Sequence, residues 1–132
     1  MAYKTAHVSE IKPAGNPDPG ATEWRPVRHH FGVRAFGVNA WVAREAGDEV
    51  IEEHSESEHE ELYFVASGHA RFTVDGTTID APAGTFVHVG EPAVERSAVG
   101  EEPGTTVLAI GAAPGKAFEV SAWEKRWVGD AA

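Results

Sequence analysis

Two histidines and a run of carboxylates give the middle of this chain the side chain types that bind metal ions. Residues 45–61 include nine Asp and Glu and no Lys or Arg, and His54 and His59 lie among them. The chain has no cysteine, which excludes a thiolate nucleophile and a sulfur-ligated metal site. Any bound metal must therefore be held by His, Asp, Glu or water.

Strand alternation brings some of these residues to a common face. His59 and Glu61 are two positions apart, so in a strand they point the same way. His54 joins them if a bulge or loop separates it from His59, which the polar residues 55–58 permit. Two histidines and one carboxylate with open positions are typical of non-haem iron sites. The competing interpretation is that most of these carboxylates are solvated surface groups.

Composition limits the class of protein and its partners. With 132 residues, 42% of them hydrophobic, the chain is expected to form a single soluble domain. A formal charge of −10 disfavours nucleic acids and anionic membranes as partners. The longest apolar stretch, residues 107–110, is far shorter than the roughly 18 residues of a membrane span. We therefore expect a cytoplasmic protein without a membrane segment.

The elements that must position these residues are predicted to be short β-strands. Gly and Pro divide residues 31–111 into pieces too short for helices, which is typical of a sandwich or barrel. Asp75-Gly76, between two alternating runs, favours a two-residue hairpin turn. The predicted strands are 31–43, 49–54, 60–66, 69–75, 77–81, 85–89, 93–99 and 105–111.

The two ends of the chain differ from this central region. Four prolines and two glycines in residues 11–26 predict an extended surface segment that forms neither helix nor central strand, within an N-terminal arm spanning 1–30. Trp24 is expected to pin this arm to the core. In the C-terminal segment 112–132, the spacing of Ser121 and Glu124 predicts a capping box that opens a short helix. Aromatic residues in that helix are expected to pack on the barrel; they are Trp123 and Trp127.

The stretch from Gly47 to Gly68, GDEVIEEHSESEHEELYFVASG, resembles the first motif of the cupin family. That motif has a Gly, an HxH pair, a Glu three or four residues on, and a Gly after six more. Counting back from Glu61 places His54 at the first His of the pair and Glu56 at the second. The resemblance implies a cupin-type jelly-roll β-barrel, in which one ligand histidine is here a carboxylate.

The later stretch GTTIDAPAGTFVHVGEPAVERSA resembles the second cupin motif, so the resemblance covers about residues 31–111. This motif supplies a further His and fits the sequence in two ways. If Gly76 opens the motif, His88 lies one residue beyond the expected His. If Gly84 opens it, the His position is Glu95. We prefer the second placement, because the preceding hairpin turn already uses Gly76.

By position, the resemblance implies a metal set of His54, Glu56, Glu61 and Glu95. One His and three carboxylates form a harder, more anionic site than the three His and one Glu of the family pattern. Such a site should hold Mn²⁺ better than copper, or stay empty. The candidate cofactor is therefore a divalent metal ion (Mn, Fe, Zn or Ni), with no cofactor as the alternative.

A cupin fold does not by itself fix a function, and whether the chain is an enzyme stays open. One hypothesis is a small metal-dependent enzyme, in which the ion acts as a Lewis acid or activates oxygen. The other is a metal-free cupin that binds a small molecule or serves as a sensor or oligomeric interaction module; a domain with no site is the weakest alternative. The resemblance also implies a homodimer. Candidate pocket residues are Tyr63, His88, Arg71 and Arg96.

Overall fold

The computed structural model describes residues 2–15 and 22–129. Nine strands form two antiparallel β-sheets that face each other. The strands are β1 (Glu23–Arg25), β2 (Gly37–Val42), β3 (Glu49–His54), β4 (Glu60–Ser67), β5 (His69–Val74), β6 (Thr77–Pro82), β7 (Phe86–Val89), β8 (Arg96–Gly100) and β9 (Thr106–Ala112). The helices are a 3-10 turn (Val8–Glu10), α1 (Val27–Phe31) and α2 (Ala122–Val128).

The strand order is β1-β2-β9-β4-β7 in one sheet and β3-β8-β5-β6 in the other. Apart from β1-β2 and β5-β6, neighbouring strands come from distant parts of the sequence, as in a jelly roll. Strand alternation turns one side of each strand inward, where buried side chains such as Tyr63, Val65, Phe72 and Val107 form the core. The all-β jelly-roll fold expected from the sequence is confirmed.

The hairpin between β5 and β6 follows the sequence prediction closely. Val74 pairs with Thr77 across a two-residue turn. Asp75 has a φ of 51° and Gly76 a φ of 77°, the two positive values that a type I′ turn requires. Each of the eight predicted strands has a counterpart, with shifted ends in most cases, and β3 matches at both ends.

The N-terminal arm is more structured than predicted. β1 adds a short strand to the edge of the first sheet, with Trp24 opposite Trp41. Pro26 precedes α1, and Gly32, at a φ of 72°, ends it. α1 begins at Val27, after residues 11–26 for which no helix was predicted, so the arm 1–30 is not extended throughout; a first strand beginning at 31 was wrong. His29 and His30 lie in α1, within the range predicted as arm; part of that arm, residues 16–21, lies outside the described residues.

The predicted C-terminal helix is present as α2, but the capping box is not. The Ser121 side chain makes no capping hydrogen bond. Glu124 is buried and forms an ion pair with the equally buried Arg28 of α1. The carboxylate expected to cap the helix therefore ties α2 to the N-terminal part of the chain. None of the helices in the described residues is both long and apolar enough to cross a membrane.

Candidate functional site

A cavity of about 710 Å³ opens between β3, β4 and α2. At one side it is lined by charged residues of the first motif, and at another by tryptophans. The lining side chains that carry charge or can gain it are Glu49, Glu52, His54, Glu56, His59, Glu61 and Glu124. The aromatic ones are Trp24, Trp41, Tyr63, Phe118, Trp123 and Trp127.

His54, the last residue of β3, has both ring nitrogens engaged. Its Nδ1 donates to the Glu52 backbone carbonyl over 2.6 Å, since a carbonyl can only accept. Its Nε2 lies 3.1 Å from Glu56 Oε2 and 3.4 Å from Glu61 Oε1. The Glu56 backbone N–H donates to the Pro92 carbonyl over 2.8 Å, which ties the loop carrying Glu56 to the segment before β8. One imidazole thus faces two carboxylates.

The Glu61 carboxylate is the hydrogen-bond acceptor shared by several side chains of this group. Its Oε1 accepts hydrogen bonds from the Tyr63 hydroxyl and from Arg96 Nη1, the latter over 2.9 Å. Across β4 and β9, Glu61 pairs with Gly111. A Cβ at position 111 would lie 2.9 Å from the Glu60 carbonyl oxygen and 3.1 Å from Glu61 Cγ. Only glycine leaves the Glu61 side chain room to turn into the cavity.

Arg96 is fully buried next to Glu61. It begins β8 directly opposite His54 of β3, so the two side chains share a face of the sheet. Its Nη2 also donates to the carbonyls of Pro92, over 3.1 Å, and Glu91, over 3.5 Å. These contacts fix the guanidinium behind Glu61, where it places a permanent positive charge.

The charges and hydrogen bonds of these residues shift the pKa values of His54, Glu61 and Tyr63. Hydrogen bonds with Glu56 and Glu61 raise the pKa of His54 to about 10, so the imidazole is protonated at neutral pH. Burial of Glu61 opposes ionisation, but hydrogen bonds from His54 and Tyr63 and the charges of His54 and Arg96 together lower its pKa. Burial and the nearby Glu61 carboxylate raise the pKa of Tyr63, which therefore remains a hydrogen-bond donor.

Comparison with known proteins supports one fold. No family model and no curated protein matches the sequence. Among solved structures, a cupin protein from Bacteroides fragilis is 20% identical over 92% of both chains, with a TM-score of 0.63. KdgF from a Halomonas species is 16% identical over 86% of this chain and 96% of its own, with a TM-score of 0.65. The chain has the cupin fold.

A third similar structure is Pac13, described as a nucleoside dehydratase. It is 15% identical over 86% of this chain and 83% of its own, with a TM-score of 0.60. The resemblance seen in the two sequence motifs is thus confirmed at the level of the cupin fold. At these identities the likeness concerns the fold alone, so the function has to be argued from the site.

The metal that a cupin fold implies can be tested against the residues present. One His nitrogen and two carboxylate oxygens, from His54, Glu56 and Glu61, lie within 4.8 Å of one another. The side chain that the second motif contributes beside them is the Arg96 guanidinium, a cation that cannot ligate a metal. Arg96 and Tyr63 already bind Glu61 Oε1, so this oxygen is engaged and lies beside a fixed cation. This donor set does not fit a resident divalent metal ion.

Several residues predicted for the site lie elsewhere. Glu95 is exposed and next to the inward-facing Arg96, so the Gly84 placement of the second motif fails by one residue. His88 is also exposed and contacts Glu60 outside the cavity. Arg71 pairs with Glu101 on the surface of the second sheet.

His59 lines the cavity but does not belong to the His54 group. Its closest aromatic neighbour is Phe118, with ring centroids 6.0 Å apart. The triad of His54, His59 and Glu61 is therefore not assembled in the described residues. The structure places the Tyr63 hydroxyl and Arg96 beside Glu61, and Tyr63 also lines the cavity; a role of either residue in a substrate pocket stays a prediction.

Sequence reasoning missed the tryptophan cluster as part of the cavity. Trp24 stacks on Trp41 with centroids 5.9 Å apart, and Trp123 lies 4.9 Å from Trp24 and 6.1 Å from Trp41. Trp24 Nε1 donates to Asn39 over 2.8 Å, which orients this cluster. The alternation of Asn39 and Trp41 along β2 carried the only local signal, because residues two apart share a face.

Proposed function

We propose that this cupin domain binds a small molecule in the cavity and does so without a resident metal ion. The observation that carries the proposal is Arg96, which is fully buried and donates to Glu61 over 2.9 Å. A divalent ion coordinated by Glu61 would sit close to this fixed cation in a partly desolvated site, where like charges repel strongly. The arginine supplies the positive charge that a metal supplies in metal-binding cupins.

The charges of the inner group are balanced without an ion. Protonated His54 faces Glu56, and Arg96 faces Glu61, so each carboxylate has a cationic partner. Buried charges are tolerated when they are paired and hydrogen-bonded in this way. A metal would have to displace the proton from His54 Nε2 and leave Arg96 facing a dication.

The same geometry favours binding over catalysis. A general base needs a pKa near the working pH, and a pKa of about 10 keeps His54 protonated. Its Nε2–H is instead a fixed donor, held by Glu56 and Glu61 and backed by the Glu52 carbonyl. The nucleoside dehydratase activity of Pac13 is therefore not assigned to these residues.

Metal content and the protonation state of His54 test this proposal together. Protein purified without chelator, in wild-type, His54→Gln and His69→Gln forms, should contain far less than one metal ion per chain after incubation with Mn²⁺, Fe²⁺, Zn²⁺ or Ni²⁺ and desalting. His69 is the matched control because it also pairs with a carboxylate, Asp80, but outside the cavity. Near-stoichiometric metal that is lost only with His54→Gln would overturn the proposal and restore the metal-dependent alternative.

Nitrogen-15 NMR of the imidazoles gives the second readout. At about pH 8, His54 should show the two equivalent nitrogen shifts of an imidazolium, whereas an unperturbed His is largely neutral there. A neutral His54 at this pH would contradict the charge-balanced site.

The homodimer and the single-domain organisation stay predictions. Phe86 is 62% exposed and stacks on Phe64 with centroids 4.4 Å apart, and Phe36 is 41% exposed. These aromatic rings support pairing through the face of the first sheet. Light scattering of wild-type and Phe86→Ser protein tests the predicted homodimer. A monomeric mass for both proteins would show that the prediction is wrong.

A further inference from the structure

We propose that the ligand of this cavity is a small organic cation, such as a quaternary ammonium compound, which lies against the tryptophan cluster. The inference deepens the proposed function and rests on it, because it assigns a ligand class to the same cavity. It stands on two independent features: the aromatic wall, and carboxylates at the cavity that have no cationic partner.

The aromatic wall is built and oriented by the fold. Trp24 is 3% exposed and hydrogen-bonded to Asn39, and Trp41 stacks against it. Trp123 packs on both rings from α2 yet remains 43% exposed. These three indoles line the cavity together with Trp127, and Trp, whose π-faces are electron-rich, is the side chain that attracts organic cations best.

The charge of the lining has the sign that suits such a ligand. Five glutamates line the cavity, and its lining within the described residues includes no Lys or Arg. Three of these glutamates have a cation of their own: Arg96 for Glu61, His54 for Glu56 and Arg28 for Glu124. The other two do not.

Glu49 and Glu52 are the carboxylates that remain. Neither forms an ion pair within residues 2–15 and 22–129, where the ion pairs of the site all involve other glutamates. Both lie on β3 and both are exposed at the cavity. They give the cavity a net negative potential that attracts cations and repels phosphates and carboxylates.

A matched pair of probes separates charge from shape. Choline and 3,3-dimethylbutan-1-ol differ in that a quaternary nitrogen replaces a quaternary carbon, so they have nearly the same size and apolar surface. We expect choline to shift the indole N–H signals of the cavity tryptophans in NMR titrations and the uncharged alcohol to bind at least about tenfold more weakly. Glucose 6-phosphate should not bind.

Adjacent glutamates on β3 provide a matched pair of variants. Glu52 lines the cavity, whereas its neighbour Glu53 is exposed and does not. Both Glu52→Gln and Glu53→Gln remove one negative charge from an exposed strand position. Loss of one charge near the ligand should weaken choline binding about fivefold for Glu52→Gln and leave Glu53→Gln near wild type. Added salt should reduce the difference in choline affinity between the two variants.

Trp123→Leu tests the aromatic wall with little risk to the fold, because Trp123 is partly exposed on the short helix α2. We expect this variant to lose most choline binding, and the amide spectrum of the two sheets to stay unchanged. Loss of affinity with intact sheets supports contact between the cation and the indole face.

Three results would overturn the inference: no binding of choline, equal binding of choline and its uncharged isostere, or preferred binding of glucose 6-phosphate. Its failure is distinguishable from failure of the proposed function. A metal-free cavity that prefers the neutral alcohol or the phosphate ends this inference alone. A stoichiometric metal at His54 ends the proposed function, whatever the choline titration gives.

Discussion

Two arginine–glutamate pairs lie beside the same cavity, each with a buried arginine, but they connect different kinds of structure. Arg96 and Glu61 join β8 to β4, one strand from each sheet. Arg28 and Glu124 join α1 to α2, two short helices from opposite ends of the chain. The first pair lies inside the jelly roll, whereas the second attaches a seven-residue helix to its outside.

The difference shows that two ion pairs of the same residue types can contribute unequally to the stability of the fold. When the inner pair is broken, the remaining charge stays enclosed by two sheets, because neither strand can leave without unfolding the barrel. When the outer pair is broken, α2 can detach and let its partner reach water. We therefore expect the inner pair to contribute to global stability, and the outer pair to control how firmly one wall of the cavity is held.

The largest expected effect is that of Arg96→Met. This change leaves the Glu61 carboxylate buried without its guanidinium partner, and should lower the free energy of unfolding by about 3–5 kcal/mol. Urea unfolding followed by circular dichroism measures it. The double variant Arg96→Met/Glu61→Gln should recover part of the loss, because it removes the carboxylate charge that has lost its guanidinium partner. A loss below about 1 kcal/mol would mean that the pair acts like a surface ion pair.

A smaller effect is expected from Glu124→Ala. This change affects only the docking of α2, because Arg28 can become solvated once the helix detaches. We expect it to lower the free energy of unfolding by about 1–2 kcal/mol. Hydrogen exchange should accelerate in residues 122–128 and remain slow in β4 and β9. Equal acceleration in the sheets would contradict the contrast between the two pairs.

The smallest expected effect is a pH dependence from His54. Its folded-state pKa of about 10 lies above the ordinary value of 6.5. Its stabilising contribution is therefore complete below about pH 6.5 and is lost as the pH rises through about 10. Partial exposure of the ring keeps the size modest.

The measurement is the urea midpoint of wild-type, His54→Gln and His69→Gln protein across this range. His69 also has a raised pKa, through its hydrogen bond with Asp80, but it is a surface residue. His54→Gln should flatten the decline, and His69→Gln should retain it. A decline that survives His54→Gln would assign the pH dependence to other groups.

Local sequence patterns were sufficient for most of the barrel. Alternation and Gly or Pro breaks located the eight predicted strands, and Asp75-Gly76 fixed the β5–β6 hairpin. The site residues were harder to predict from the sequence, because they depend on which side chains of each strand face the cavity. The motif count selected Glu95, whereas alternation in β8, with Arg96, Ala98 and Gly100 buried, selects the residue after it.

The outer part of the site could not be predicted locally at all. α1 has only five residues, too few for a periodic signal, and follows a proline-rich stretch. The Arg28–Glu124 pair joins residues 96 positions apart, and Glu124 has the spacing of a helix cap. Its actual role depends on where the first helix packs, which is a property of the assembled fold.

The edges of the two sheets have a consequence for self-association. The first sheet ends in β1 and β7, strands of only three and four residues. The second ends in β3, whose register shifts twice and which carries three glutamates, and in β6, which ends at a proline. Short, irregular, charged or proline-terminated edges are poor templates for a further strand. Edge-to-edge aggregation of the barrel is therefore disfavoured.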